Sequence, residues 1–366
     1  LSQTQNTTAV QPVPAGSTRP EPEPAADRRS RPSPLGRLSP KRISAVYLWL
    51  FFIALFAVIA PDTFLTQTTF TLVFRSGVIT CVLALAFLVP LTAGAYDLSI
   101  GSVMALALGL IVYLSIHTHL PAPVDALIAL AACGLTGFLS GFIVVRLHVN
   151  SFIATLGVGQ VLAGAVLVLS NNTELIGNLP DYWSNLGTDN LLGVPIVDYV
   201  LLVLAAAMWY VLELTPIGRA LLATGGNPDA ARLAGVRTER VTWGVFIASG
   251  LISGLAGVIF SMQSGLFSAS IGPGYLFPAV AAVFLGASQL SQRPNVWGTL
   301  IAYFALAFGI QGLTLSASSA SVWSQPVFQG VSLIIAVAVA SRPVLRKLRS
   351  PRTEAAAAPH EVSADA

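Results

Sequence analysis

The sequence predicts an all-α, polytopic membrane protein of about ten transmembrane segments, some of them broken or re-entrant. Three observations predict it. Of 366 residues, 54% are hydrophobic and only 10% are charged, where soluble domains run near a quarter charged. Apolar stretches of about 17 to 25 residues, long enough to cross the hydrocarbon core, recur along the middle of the chain. The basic residues are gathered into three places and are nearly absent between them.

The segments are taken in chain order, with boundaries good to a few residues. Ser44–Ala60 is an apolar and aromatic run beginning just after Arg42. Phe70–Pro90 is apolar apart from Arg75. Ser99–Ile116 follows a break at Gly94–Asp97. Val124–Val145 ends against Arg146 and carries Gly134, Gly137, Ser140 and Gly141. Ser151–Ser170 follows Arg146 so closely that it reads as tilted or partly re-entrant. Ile196–Leu214 ends at Thr215-Pro216. Val241–Met262 carries Ser249/Ser253 and Gly250/Gly254, each at the i, i+4 spacing of a small-xxx-small packing face. Pro278–Leu290 is short for a full crossing and reads as a half-helix. Val296–Leu315 and Val322–Ser341 complete the set, so the membrane domain spans residues 44–341 and both termini fall on one side.

Charge gives the orientation. Seven basic residues lie in the first 42 positions, from Arg19 to Arg42, and five lie in Arg342–Arg352. Four more, Arg219, Arg232, Arg237 and Arg240, occupy a polar island at Thr215–Arg240. The positive-inside rule puts the tails and the island in the cytoplasm. The island follows the sixth crossing, so parity agrees. The loop Asn171–Asp198 has four acids, Glu174, Asp181, Asp189 and Asp198, with no Lys or Arg, and is expected to face outward. Residues 1–43 are Pro-, Ser- and Arg-rich without an apolar core, as expected of a disordered cytoplasmic tail rather than a signal peptide. Residues 342–366 read the same way. The net charge of +3 comes from these clusters and does not point to nucleic acid. Cys81 and Cys133 lie in apolar runs and read as buried free thiols.

The island contains a short helix with both ends written in. Asn227 is placed to cap it, Pro228 takes the first helical position, and Asp229 precedes Arg232 in the order the helix dipole favours. Gly235 supplies a left-handed stop. Two turns of helix are unstable alone, so this one reads as a surface pressed on a partner, with Ala230 and Ala231 on it.

A second informative stretch is Thr92–Ser102. An ionisable residue at membrane depth, Asp97, is expensive and usually faces a cavity or a partner. Non-helical backbone there must be buried in protein or line water. Asp97 and Ser99 therefore read as caps of the next helix, as contacts for a polar solute, or as both. Ser151, Phe152 and Thr155, after Asn150, form another polar and aromatic helix entry, with Gln160 further along. Gln263, Gln311, Trp323 and Gln325 lie near segment ends, where interface anchoring competes with solute contact. No phosphate-binding loop of the G-x-x-x-x-G-K-[ST] type exists, and the two lysines, Lys41 and Lys347, lie in or beside the tails. No metal-ligand spacing, catalytic constellation or cofactor motif is present, and the membrane core lacks the repeated acids of a proton relay.

These motifs together resemble the permease subunit of bacterial ABC importers for sugars, the ribose/xylose-type branch. The D-L-S-[VI]-G-S element is Asp97 to Ser102. The S-F-I-A-T-L-G element is Ser151 to Gly157. The element with T-x-x-G-R followed by G-G-N-x-x-A-A-R-x-x-G is Thr215, Gly218 and Arg219, then Gly225, Gly226 and Asn227 through Ala230, Ala231 and Arg232 to Gly235. The likeness covers roughly residues 45–341. It departs at Gly94-Ala95-Tyr96, where paired glycines are usual, at Gly286–Pro294, where a glycine-rich turn is usual, and at Gln311, where Asn is usual.

The resemblance implies two permease copies forming one pathway in the bacterial inner membrane. It implies a cytoplasmic ABC ATPase bound at Gly218–Gly235, and a periplasmic or lipid-anchored sugar-binding protein outside. Transport would be of a sugar or polyol, pentose-like, by alternating access, with no catalytic group on this chain and membrane lipid around it. An ion-coupled secondary transporter with broken helices and a membrane-embedded enzyme are competing readings. The first lacks intramembrane charge for coupling, and the second lacks clustered acids or a metal site.

Overall fold

The computed structural model describes residues 44–290, 293–316 and 325–335. The two tails, Trp323 and the end of the last predicted segment lie outside the described residues. Helices dominate, and their order is α1 (Ser44–Ile59), α2 (Pro61–Phe64), α3 (Gln67–Thr92), α4 (Ile100–His117), α5 (Ala122–Arg146), α6 (Ser151–Ser170) and α7 (Asp181–Thr188). After these come α8 (Ile196–Trp209), α9 (Pro216–Gly226), α10 (Pro228–Leu233), α11 (Thr238–Ser264), α12 (Ile271–Leu290) and α13 (Val296–Ser316). A last apolar helix, α14, spans Gln325–Ile335.

Among the described residues seven helices are long and apolar enough to cross a membrane: α3, α4, α5, α6, α8 with its extension to Leu214, α11 and α13. α1, α12 and α14 are shorter apolar helices. All ten predicted segments thus have a helix at their place. The predicted half-helix at Pro278 instead starts at Ile271, because Pro273 lies in its first turn, where no N–H is needed, and Pro278 sits within the helix. α6 is one continuous helix of 20 residues. α8 continues as a π-helical turn over Tyr210–Leu214, a widening of hydrogen-bond register that hydropathy does not report.

α3 is the central helix. Every residue from Gly77 to Pro90 is buried, as expected of a helix apolar all round. It packs in one core with α8, α11, α12 and α13 through Leu83, Leu88, Leu201, Phe246 and Val283. α11 runs antiparallel to α5, and glycines set the crossing. A Cβ on Gly137 would enter the carbonyl of Phe246, one on Gly250 the carbonyl of Cys133, and one on Gly254 would sit 2.9 Å from the Cys133 Cβ. Lipid offers no hydrophobic drive between helices, so such close backbone approach is what holds them. Cys81 and Cys133 are buried and free. α1 closes against α13 through aromatic contacts, with Trp49 and Phe308 centroids 6.0 Å apart.

The two ends of the bundle differ. At one end, the stretch 171–195 is folded rather than loose. β1 (Leu175–Ile176) pairs antiparallel with β4 (Leu266–Phe267), and β2 (Asn190–Leu191) pairs with β3 (Val194–Pro195). The β2–β3 turn has Leu192 and Gly193 both at positive φ, the requirement of a type I′ hairpin. Trp183 on α7 donates through Nε1 to the Ser261 hydroxyl of α11 at 3.1 Å. Arg75 on α3 donates to the Thr188 carbonyl and to Asn190 Oδ1, and its own carbonyl accepts from Gln263 at 2.9 Å. Gln263 is thus spent on structure. The other end gathers the α3–α4 break, the start of α6, and α9 and α10.

Candidate functional site

The break begins where α3 ends. The N–H groups of Ala93 and Ala95 return to the Pro90 carbonyl, and that of Gly94 to Leu91. Gly94 takes φ +78°, a conformation that costs a side-chain-bearing residue strain. Asp97 Oδ1 then accepts from the Ser99 backbone N–H at 3.0 Å and from the Ser99 hydroxyl at 2.5 Å. Ser99 is the N-cap residue of α4 but caps nothing with its own side chain. The capping role expected of this pair therefore falls to Asp97, acting through Ser99. Asp97 is only 2% exposed. The Ser249 hydroxyl of α11 lies near its carboxylate without a well-formed hydrogen bond.

The first turn of α6 clips the break in place. Tyr96 N–H donates to the Ser151 hydroxyl at 3.1 Å, and Leu98 N–H donates to the Thr155 hydroxyl at 3.0 Å. The Thr155 hydroxyl donates in turn to the Ser151 carbonyl at 2.8 Å. Two backbone donors of an irregular segment are satisfied by two side chains of a neighbouring helix, which is how non-helical backbone survives inside a membrane bundle. Asn150 caps α6 through Phe152 N–H at 2.9 Å.

The six residues predicted for the pathway are therefore not equivalent. Asp97, Ser99 and Thr155 are covered and hold the break. Ser151 is half-buried and engaged. Phe152 and Gln160 are exposed on α6, and Phe152 stands edge-on to Tyr96 with centroids 6.5 Å apart. Sequence reasoning passed over Tyr96, whose only signal was an aromatic ring inside a helix break.

The island folds as two helices, where one was expected. α9 starts at Pro216 and packs its Gly218 so closely on the π-helical turn that a Cβ would enter the Leu212 carbonyl. Arg219 stays exposed, while Leu221 is buried in the main core. At the far end of α9, Gly225 meets Gly94, with a Cβ on Gly94 reaching 3.2 Å from the Gly225 Cα. Gly226 has open space around it.

Asn227 Oδ1 then accepts from Asp229 N–H at 3.1 Å and Ala230 N–H at 3.0 Å, the predicted cap. Pro228 opens α10, and Gly235 closes it at φ +87°. Ala231 is buried, whereas Pro228, Asp229, Ala230 and Arg232 face outward and Leu233 is 91% exposed. Arg293 reaches Glu213 at 2.6 Å and ties the α12–α13 turn to the same end. Among the described residues no group of three His, Cys, Asp or Glu side chains could hold a metal ion.

Residues 69–339 match a family described as the permease component of branched-chain amino acid transport systems. The chain belongs to this permease family. Among curated proteins the permease is 30% identical to the ribose import permease protein RbsC of Haemophilus influenzae, over 78% of this chain and 88% of that one. It is 32% identical to the fructose import permease protein FrcC of Rhizobium meliloti, over 82% and 85%. It is 33% identical to the autoinducer 2 import system permease protein LsrC of Photorhabdus laumondii, over 75% and 82%. No solved structure matches it significantly. The permease is thus a multi-pass membrane component of an ABC-type importer, a transporter subunit rather than an enzyme. Such a component works with an ATPase and a substrate-binding partner.

Proposed function

We propose that this permease carries a sugar or polyol, pentose-like in size, inward across the bacterial inner membrane by alternating access, powered by a separate ATPase. The substrate class is supported by the ribose and fructose named for its relatives. The basic tails and island support an arrangement with both termini and α9–α10 in the cytoplasm. A second permease copy completes the pathway.

The observation that carries the coupling assignment is the backbone contact between Gly225 and Gly94. α10 presents Ala230 and Leu233 outward, α9 joins it rigidly to the core, and the end of α9 leans on the break that Asp97 secures. A push on α10 therefore has a solid route to the one irregular segment between α3 and α4. This is the kind of two-state element that a nucleotide-driven partner can bias. Arg219 and the exposed residues of Gly225–Gly235 form the surface offered to the ATPase, while Gly218 and Ala231 seat the two helices beneath it. Ser151, Phe152 and Gln160 border the pathway on α6, and the covered Asp97, Ser99 and Thr155 hold its wall in shape.

Uptake in proteoliposomes tests the reading. Permease, ATPase and binding protein are reconstituted with ATP inside, and labelled ribose, fructose or leucine is supplied outside. ATP-dependent accumulation of a sugar but not of leucine is expected. Accumulation of leucine alone would overturn the substrate class, and accumulation without ATP would overturn the coupling.

A further inference from the structure

At the end of the bundle opposite the island, a cavity of about 350 Å³ opens between the α4–α5 connection and the start of α7. Ser115, Thr118, His119, Asp125, Asn178 and Tyr182 supply its polar lining. Asp125 is 1% exposed, and neither of its carboxylate oxygens has a hydrogen-bond partner. A buried carboxylate without a partner is costly, because lost hydration is not replaced. Its place in the first turn of α5 offsets only part of that cost.

The surroundings are not neutral in sign. The neighbouring stretch 171–198 holds Glu174, Asp181, Asp189 and Asp198 with no Lys or Arg. Arg75, at the same end of the bundle, is committed to Thr188 and Asn190. At the rim, Leu120 and Tyr182 are 45% and 51% exposed. They offer an apolar edge and an aromatic face, along which a long cationic side chain packs well. The hydroxyls of Ser115 and Thr118 are spent: Ser115 donates to the Val112 carbonyl at 2.7 Å and accepts from Asn178 N–H at 3.2 Å, and Thr118 donates to the Leu114 carbonyl at 2.8 Å. Among the lining side chains, only Asp125 has buried oxygens without a partner.

We propose that this cavity is a docking socket for a lysine or arginine side chain of the solute-binding protein, with Asp125 as its counter-charge and Tyr182 at its rim. The inference rests on the reading that this end faces outward to a binding partner. The socket would orient that partner over the pathway and let it leave as the pair is broken.

The test uses the whole permease–ATPase complex in nanodiscs, titrated with the binding protein at several salt concentrations. Asp125→Asn is expected to weaken binding about tenfold or more and to flatten its salt dependence. Co-purification with the ATPase serves as the check on folding. In a second arm, with copper–phenanthroline added as the oxidant, Tyr182→Cys is expected to form a disulfide with binding proteins carrying Cys in place of single surface Lys or Arg residues. Unchanged affinity and salt slope in Asp125→Asn, or no disulfide at any basic position, would overturn the socket. Sugar uptake is measured on the same preparations. Uptake with wild-type affinity in Asp125→Asn defeats the socket alone, whereas intact docking without sugar uptake defeats the substrate reading alone.

Discussion

Gly94 and Gly225 meet backbone to backbone. A Cβ on Gly94 would lie 3.2 Å from the Gly225 Cα, and a Cβ on Gly225 would run into the Thr92 carbonyl oxygen. Both partners in this contact are main chain, so neither can swing aside as a flexible side chain would. Gly225→Ala is therefore expected to force α9 off the break. The cost should be about 1–3 kcal/mol, the range for overpacking a tight contact. Gly226→Ala has open space and is expected to be neutral or slightly stabilising, since alanine favours helix. Thermal unfolding in detergent separates the two. Equal melting temperatures for both variants would remove Gly225 as a contact point, and uptake should fall with Gly225→Ala only.

Ala230 and Ala231 adjoin in sequence but differ in what they touch. Ala231 is 5% exposed and Ala230 lies on the open face of α10. Ala230→Glu is expected to leave stability within about 0.5 kcal/mol, as surface changes do, while reducing capture of the ATPase. Ala231→Leu is expected to destabilise by about 1–3 kcal/mol through overpacking. Asn227→Ala removes an acceptor for two N–H groups and should cost about 1 kcal/mol. Pull-down of the ATPase alongside melting curves resolves these effects. Full ATPase capture by a stable Ala230→Glu variant would move the contact elsewhere.

Legibility in the sequence followed the range of the interaction. The α10 cap was readable because Asn227, Pro228, Asp229 and Gly235 act on one another within a few positions. The segments were readable because hydropathy is a running local sum. α9 was missed because its Gly-rich end and polar neighbours blur a helix whose burial comes from Leu221 reaching the core. The start of α12 was misplaced because Pro273 and Pro278 look like stops, although one sits in a first turn. The clip between Ser151, Thr155 and the Tyr96–Leu98 backbone joins residues far apart in the chain, so the sequence shows the polar residues but not whom they serve. Asp125 lies at the start of the predicted segment Val124–Val145, where an acid draws no notice. Its burial without a partner is visible only in the fold, where the α4–α5 connection and the start of α7 come to line one cavity with it.

Thr155 is 0% exposed, and its hydroxyl accepts from Leu98 N–H while donating to Ser151. Thr155→Val keeps the shape and removes the acceptor, leaving a covered backbone N–H unsatisfied. That is expected to cost about 1–3 kcal/mol. Thr155→Ser keeps the hydroxyl and should lose much less. Hydrogen exchange at Leu98 reads the same event locally and should speed up in Thr155→Val. Identical exchange in wild type and Thr155→Val would show that the clip does not hold the break.

Glu213 and Arg293 form a close pair at 2.6 Å, but their side chains remain 29% and 41% exposed. Distance alone suggests a strong tie between the π-helical turn and the α12–α13 connection. Exposure decides otherwise, because water screens the attraction and both side chains lose rotamer freedom to meet. A double-mutant cycle with Glu213→Gln and Arg293→Gln is expected to give a coupling of about 1 kcal/mol or less in melting stability, shrinking as salt is raised. Asn295 anchors the same connection independently, accepting from Gly298 N–H at 2.7 Å and donating to the Arg293 carbonyl at 3.1 Å. Asn295→Ala is therefore expected to destabilise more than either charge substitution. A coupling above about 2 kcal/mol that resists salt would mean that the ion pair is shielded in the assembled transporter, by lipid or by a partner seated on this end.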